Sequence, residues 1–215
     1  MRKKLIIIMV CIAGVLLNFA ISRLNTFAGL PFYLDTILTI SITLVLGPVW
    51  GAICGTLTNI MGHTIWFWGW AGYLFILCQI ATAYITGAFM HFFPKEMYPG
   101  IIRTALKASH NKSRSIILRD KIIILFLLAL VLSIAISIIG GTISTFIIIL
   151  YPAFDREPGL STLTVNMFSN SIPIFIREIL SRVPINIVDR LISVFAAYGI
   201  AVGLRILLHK IMPNK

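Results

Sequence analysis

The stretch GLPFYLDTILTISITLVLGPVWGAICGTLTNIMGH, from Gly29 to His63, is apolar enough to enter a bilayer. It nevertheless carries an acid, Asp35, near its start and a Gly-Pro break at Gly47-Pro48. Proline is tolerated in the first turn of a helix and not in its interior. The break therefore predicts two short antiparallel helices, about 34–46 and 48–61. Each is roughly 20 Å long, short for a hydrocarbon core of about 30 Å. Such a pair needs neighbours, a cavity or a thinned bilayer around it.

The rest of the chain supports a membrane setting. Of its 215 residues 59% are hydrophobic and 12% charged, with a mean hydropathy of +0.99. A soluble domain of this length cannot hide that much apolar surface. Further apolar spans lie at about 4–22, 72–91, 122–150 and 184–208, with a part-buried outer segment at 166–180 and an interruption at Pro184. The expectation is one all-α integral membrane domain over residues 1–215, with six crossings. Five is the alternative if the short pair is re-entrant. Met1-Arg2-Lys3-Lys4 before an apolar run imitates a secretory signal. Ala20-Ile21-Ser22 is a poor cleavage site, so the run reads as a retained first helix, with cleavage as the alternative.

The net charge of +11 would raise nucleic acid as a partner in a soluble chain. Here the charges are segregated. Arg2, Lys3, Lys4, Lys95, Arg103, Lys107, Lys112, Arg114, Arg119, Lys121, Arg205, Lys210 and Lys215 fall on one side of the six-crossing layout. Only Arg23, Arg156, Arg177, Arg182 and Arg190 fall on the other or within the membrane. The positive-inside rule then places both termini and the 92–121 loop in the cytoplasm. That loop reads as a topology determinant touching anionic lipid, with no nucleic-acid module beside it.

Under this layout Asp35 and the Asn59–His63 end fall on the outer side. Asp35 at an outer mouth serves equally as a cap for free N–H groups or as a ligand group. The loop GHTIWFWGWAG, Gly62–Gly72, carries Trp66, Trp68 and Trp70. It is an interfacial aromatic belt or a wall over a bound solute. Gln79, on the next helix, needs a partner if buried. Near the end, Asn166 and Asn170 share a helical face, and Asn186, Asp189 and Arg190 cluster after Pro184. They form either an internal network or a polar floor for a solute. Gly51 and Gly55 repeat at four-residue spacing, which permits close helix approach in a packed hairpin or at a docking face.

Signatures of enzymes are absent from the sequence: no GxSxG, HExxH, Walker A or GxGxxG. Cys11, Cys54 and Cys78 lie in apolar runs and His63, His91, His110 and His209 are scattered, so neither metal nor cofactor is expected. The chain is short for a transporter with two repeated halves and shows no internal repeat. A binding subunit that takes its energy from other proteins fits.

The elements LNFAISRLN, GLPFYLDTILT, LGPVWGAICGTLTN and PINIVDRLISVFAAYGI together resemble the substrate-binding S components of energy-coupling factor (ECF) transporters, in an uncharacterised subgroup. The likeness covers nearly the whole chain in layout and about a quarter of it in motifs. It implies a cell-membrane protein that captures a vitamin or related micronutrient at its outer face. It also implies docking through the early helices (Ala13, Gly14, Gly51 and Gly55) on a transmembrane coupling subunit, with two separate ATPase subunits hydrolysing ATP. The same elements are similar to the sensor portion of some membrane histidine kinases. A membrane sensor or structural partner without transport is therefore the alternative, and the end of the chain at Lys215 without a kinase domain favours transport.

Overall fold

In the computed structural model the Gly47-Pro48 break is a tight turn between two helices of unequal length. Gly47 has φ +98°, a conformation that only glycine adopts without strain. The structure describes residues 2–29, 32–66, 70–97, 111–151 and 172–211, without side chains at 2, 66 and 111–117. The helices are α1 (Arg2–Phe27), α2 (Ile37–Leu46), α3 (Pro48–Trp66), a 3-10 turn (Trp70–Phe75), α4 (Ile76–Phe92), α5 (Pro94–Met97), α6 (Asn111–Leu150) and α7 (Ile174–Ile211). No strand occurs among the described residues.

Four segments are long and apolar enough to cross a membrane: Lys3–Phe27, Trp70–Phe92, Leu118–Leu150 and Ile174–Ile211. The exterior of the bundle is apolar. Met9, Leu16 and Leu24 on α1, Ile123 and Ile134 on α6, and Ile176 and Ile192 on α7 all project outward. The interior mixes an apolar core, with Ile40, Leu128 and Val194, and serines, threonines, asparagines, Gln79, Glu178, Asp189 and three buried basic residues, Lys121, Arg182 and Arg190. An apolar exterior around a partly polar interior departs from a soluble protein and matches an all-helical membrane protein.

α2 occupies the centre. It has 10 residues, about 15 Å, and is buried all round from Ile37 to Leu44. It packs on α1, α3, α4 and α7. A helix apolar on every side is a core helix, and its hydroxyls are satisfied at short range. Ser41 Oγ donates to the Ile37 and Ala197 carbonyls at 2.8 and 3.0 Å, and Thr43 Oγ1 to the Thr39 carbonyl at 2.8 Å. α3 lies close against α2 because Gly51 and Gly55 leave room. A Cβ on Gly51 would collide with Thr43 Oγ1, and one on Gly55 would sit 2.8–2.9 Å from Gln79 and Thr39.

Two expectations from the sequence change. Pro184 does not divide the last region, because α7 is continuous from Ile174 to Ile211 with Pro184 inside it. A single missing N–H is tolerated where neighbouring helices hold the helix in place, and α6 packs along α7. The apolar span expected at about 122–150 is present as Leu118–Leu150, but its helix reaches further back. α6 begins at Asn111, because the basic segment before the apolar run contains no Gly or Pro to stop it. Asn166 and Asn170, in the expected outer segment, lie outside the described residues, as does Trp68.

Candidate polar site at the start of the internal helix

Between α1 and α2 the chain runs without regular structure from residue 32 to 36 before α2 begins. Irregular backbone inside a bundle must have its N–H and C=O groups satisfied by side chains. α1, α7 and α4 contribute them. From α1, Asn25 Nδ2 donates to the Phe32 carbonyl, and Asn18 Oδ1 accepts from the Leu38 N–H at 2.8 Å. From α7, Asp189 Oδ1 accepts from the N–H groups of Tyr33 at 3.1 Å and Leu34 at 2.8 Å. Arg190 Nη1 donates to Thr36 Oγ1, and its Nε lies 3.5 Å from Asp189 Oδ2. From α4, Gln79 Nε2 donates to Asp35 Oδ2 at 2.7 Å, while its Oε1 accepts from Thr39 Oγ1 at 3.2 Å.

Leu34 is held at φ +47°, a left-handed conformation that costs a non-glycine residue about 1–2 kcal/mol. The paired bonds to Asp189 fix it there. Asp35 keeps part of its surface open while lying among these groups. It does not cap α2: the N-cap is Thr36, with no side-chain capping bond. Its partner Gln79 is 2% exposed, so the carboxylate is partly open on one side and bonded to a buried amide on the other. The acid is tolerated there because an amide donates to it at charge-assisted distance.

α7 brings these groups together through its period. Glu178, Arg182, Asn186 and Arg190 recur every four residues, and Asp189 and Ser193 extend the same buried face. α6 answers with Ser133, Ser137 and Ser144. Asn186 Nδ2 donates to Ser137 Oγ at 2.9 Å, and Ser133 Oγ donates to the Asn186 carbonyl at 3.0 Å. Arg182 Nη2 donates to Ser144 Oγ at 2.5 Å. Gly141 allows this close pairing, since a Cβ there would stand 2.9 Å from the Ile179 backbone.

The candidates named from sequence therefore divide. Asp35, Gln79, Asp189 and Arg190 converge on one interior cluster, with Asn186 beside it tied to α6. His63 instead packs against the 3-10 turn, edge-on to Tyr73 at 5.8 Å. Trp70 is exposed and meets Tyr151 at 5.4 Å. Asn59 Oδ1, on α3, is buried without a hydrogen-bond partner among the described residues. Trp66 ends α3, and its side chain is not described. Of the residues expected at a docking face, Gly14, Gly51 and Gly55 are buried and face Ile42, Thr43 and Gln79, which agrees with the packed-hairpin alternative for the Gly51–Gly55 spacing. Of the four, only Ala13 is exposed.

Sequence reasoning passed over Asn18, Asn25, Tyr33 and Arg182 as site residues. Asn18 and Asn25 are seven apart on an apolar helix, which puts them on one face. The four-residue stripe on α7 marks Arg182 in the same way. Among the described residues no cluster of His, Cys, Asp and Glu is arranged to hold a metal. No family model matches the chain, and neither a curated protein nor a solved structure does.

Proposed function

We propose that this chain is the substrate-binding subunit, or S component, of an ECF-type importer in the cell membrane. It captures a vitamin or related micronutrient from the outer side. A transmembrane coupling subunit and two ATPase subunits supply the energy. The observation that carries the reading is the interior polar cluster at the start of α2, where Asp35 retains open surface beside Gln79. In membrane transporters, solute sites are formed where a helix is broken and its neighbours supply polar groups. The sequence resemblance supports the same reading from separate residues.

The chain passes six times in this reading, with both termini and the 92–121 segment in the cytoplasm. The second pass is completed by irregular backbone rather than by helix. Asp189 lies fifteen residues, about 22 Å, along α7 from its start at Ile174. The cluster then lies well below the outer surface, reached from that side.

A second reading is a membrane sensor or structural partner without transport. It is favoured by Asp189, whose Oδ1 is committed to the chain's own backbone. Affinity purification of the full chain from native membranes separates the two. Recovery of ATPase subunits together with a bound small molecule is expected. Recovery without either would favour the sensor or structural role.

A further inference from the structure

Arg182 is 8% exposed and sits on α7 eight residues, about 12 Å, toward the Ile174 end from Arg190. Its guanidinium donates to Ser144 Oγ at 2.5 Å and reaches Tyr33 Oη at 3.5 Å. It stands 5.5 Å from the centre of the Phe75 ring. Among the described residues its buried Nε has no hydrogen-bond partner, and Arg182 forms no ion pair. Arg190 differs, having Asp189 alongside at 3.5 Å.

Among the described residues Arg182 is met directly by hydroxyls and a ring face, with the buried Glu178 one turn away on the same helix face and no ion pair between them; a buried cation held in this way is costly, and inside a membrane bundle such a group marks a functional position. Gly140 faces it, and a Cβ there would contact Arg182 Nη1 at 3.5 Å and Cys78 Sγ at 3.8 Å. The guanidinium is thus bordered by a residue without a side chain, an aromatic ring, and two hydroxyls able to turn toward an acceptor. Tyr33 also links the two regions. Its hydroxyl is near Arg182 and its N–H is on Asp189.

We propose that Arg182 is the anchor for an anionic oxyanion group, carboxylate or phosphate, on the solute that this protein binds. The proposal rests on the solute-binding reading and names its chemistry. The incoming oxyanion accepts from the free Nε–H and an adjacent Nη–H, a bidentate pattern that suits arginine and not lysine. Phe75 and Tyr33 flank the same guanidinium and favour a planar group next to the charge.

The test uses the full chain purified in detergent with benzoate, phenyl phosphate and the neutral isostere benzamide as probes. Melting temperature is read for wild type, Arg182→Lys and Arg182→Met. Wild type is expected to be stabilised by benzoate, phenyl phosphate or both, and not by benzamide. Stabilisation by one anion alone identifies the group as carboxylate or phosphate. Arg182→Lys should bind about ten- to a hundredfold more weakly, and Arg182→Met not at all. Without any probe, Arg182→Met should melt about 2–4 °C higher, because an uncompensated charge has been removed. A lower melting temperature in that variant would assign Arg182 to bracing Ser144 and Tyr33 and overturn the proposal. Equal shifts with benzamide, or no shift with either anion, would also overturn it. A neutral molecule retained equally by wild type and Arg182→Met sinks the anion site and leaves solute binding standing. Anion binding at Arg182 in a chain that never associates with ATPase subunits has the converse meaning: the site stands and the transport reading falls.

Discussion

The amide nitrogen of Leu34 lies 2.8 Å from Oδ1 of Asp189, a residue 155 positions later in the chain. That bond, with its companion from Tyr33, secures the irregular entry to α2 against the middle of α7. Asp189→Ala would strand two part-buried N–H groups and remove the carboxylate beside Arg190. A loss of about 3–5 kcal/mol is expected. Asp189→Asn should cost less, because its amide oxygen can still accept from both N–H groups. Thermal unfolding in detergent checks the order. Equal stability of wild type and Asp189→Ala would show that the segment is held by other contacts.

Helix packing around α2 depends on missing side chains at particular places. Gly55→Ala places a methyl 2.8–2.9 Å from Gln79 and Thr39 and should cost about 1–3 kcal/mol through overpacking. Gly199→Ala on α7 meets nothing within 4 Å and should be neutral or gain up to about 1 kcal/mol from helix propensity. Comparing the two melting temperatures tests this contrast. The same loss at both positions would mean that the open space at Gly199 is filled by something else, such as a partner or lipid.

How much of this was legible beforehand differs by residue. Gly47-Pro48 announced its turn, because both residues have strong local preferences. Pro184 announced a break that did not occur, because packing against α6 outweighs the local penalty. Asp35, Gln79, Asp189 and Arg190 stood out as polar groups in apolar runs. Their meeting was not readable, since it depends on α2 starting inside the bundle. Gly51 and Gly55 showed small-residue spacing, but spacing does not say which side of a helix faces a neighbour. Arg182 was counted only among the few charges placed on the outer side or within the membrane, although its place in the four-residue stripe with Asn186 and Arg190 was in the sequence.

At another point of the α6–α7 contact, Lys121 Nζ donates to Tyr198 Oη at 2.5 Å and lies 4.9 Å from the centre of its ring. Lys121 is 4% exposed. Tyr198→Phe keeps the ring and removes the acceptor, and should cost about 1–3 kcal/mol. Adding Lys121→Met to that variant should recover most of the loss, since no charge is then left short of a partner. A double-mutant cycle by thermal unfolding measures the coupling. Additive losses would remove the link between the two side chains.

Topology can be read by cysteine labelling in intact cells. The three native cysteines are free and buried, so their background should be low. A cysteine at exposed Ala28 should react with a membrane-impermeant thiol reagent, and one at exposed Lys95 should react only after permeabilisation. The opposite pattern would invert the orientation proposed for the chain.

The most direct measurement is a native mass spectrum of the full chain released from mild detergent. Wild type is predicted to carry one small molecule, lost when Asp35→Ala and Gln79→Ala are combined in a variant that still folds. Identical spectra for wild type and variant, with no bound molecule or with the same one, would contradict a solute site at the start of α2.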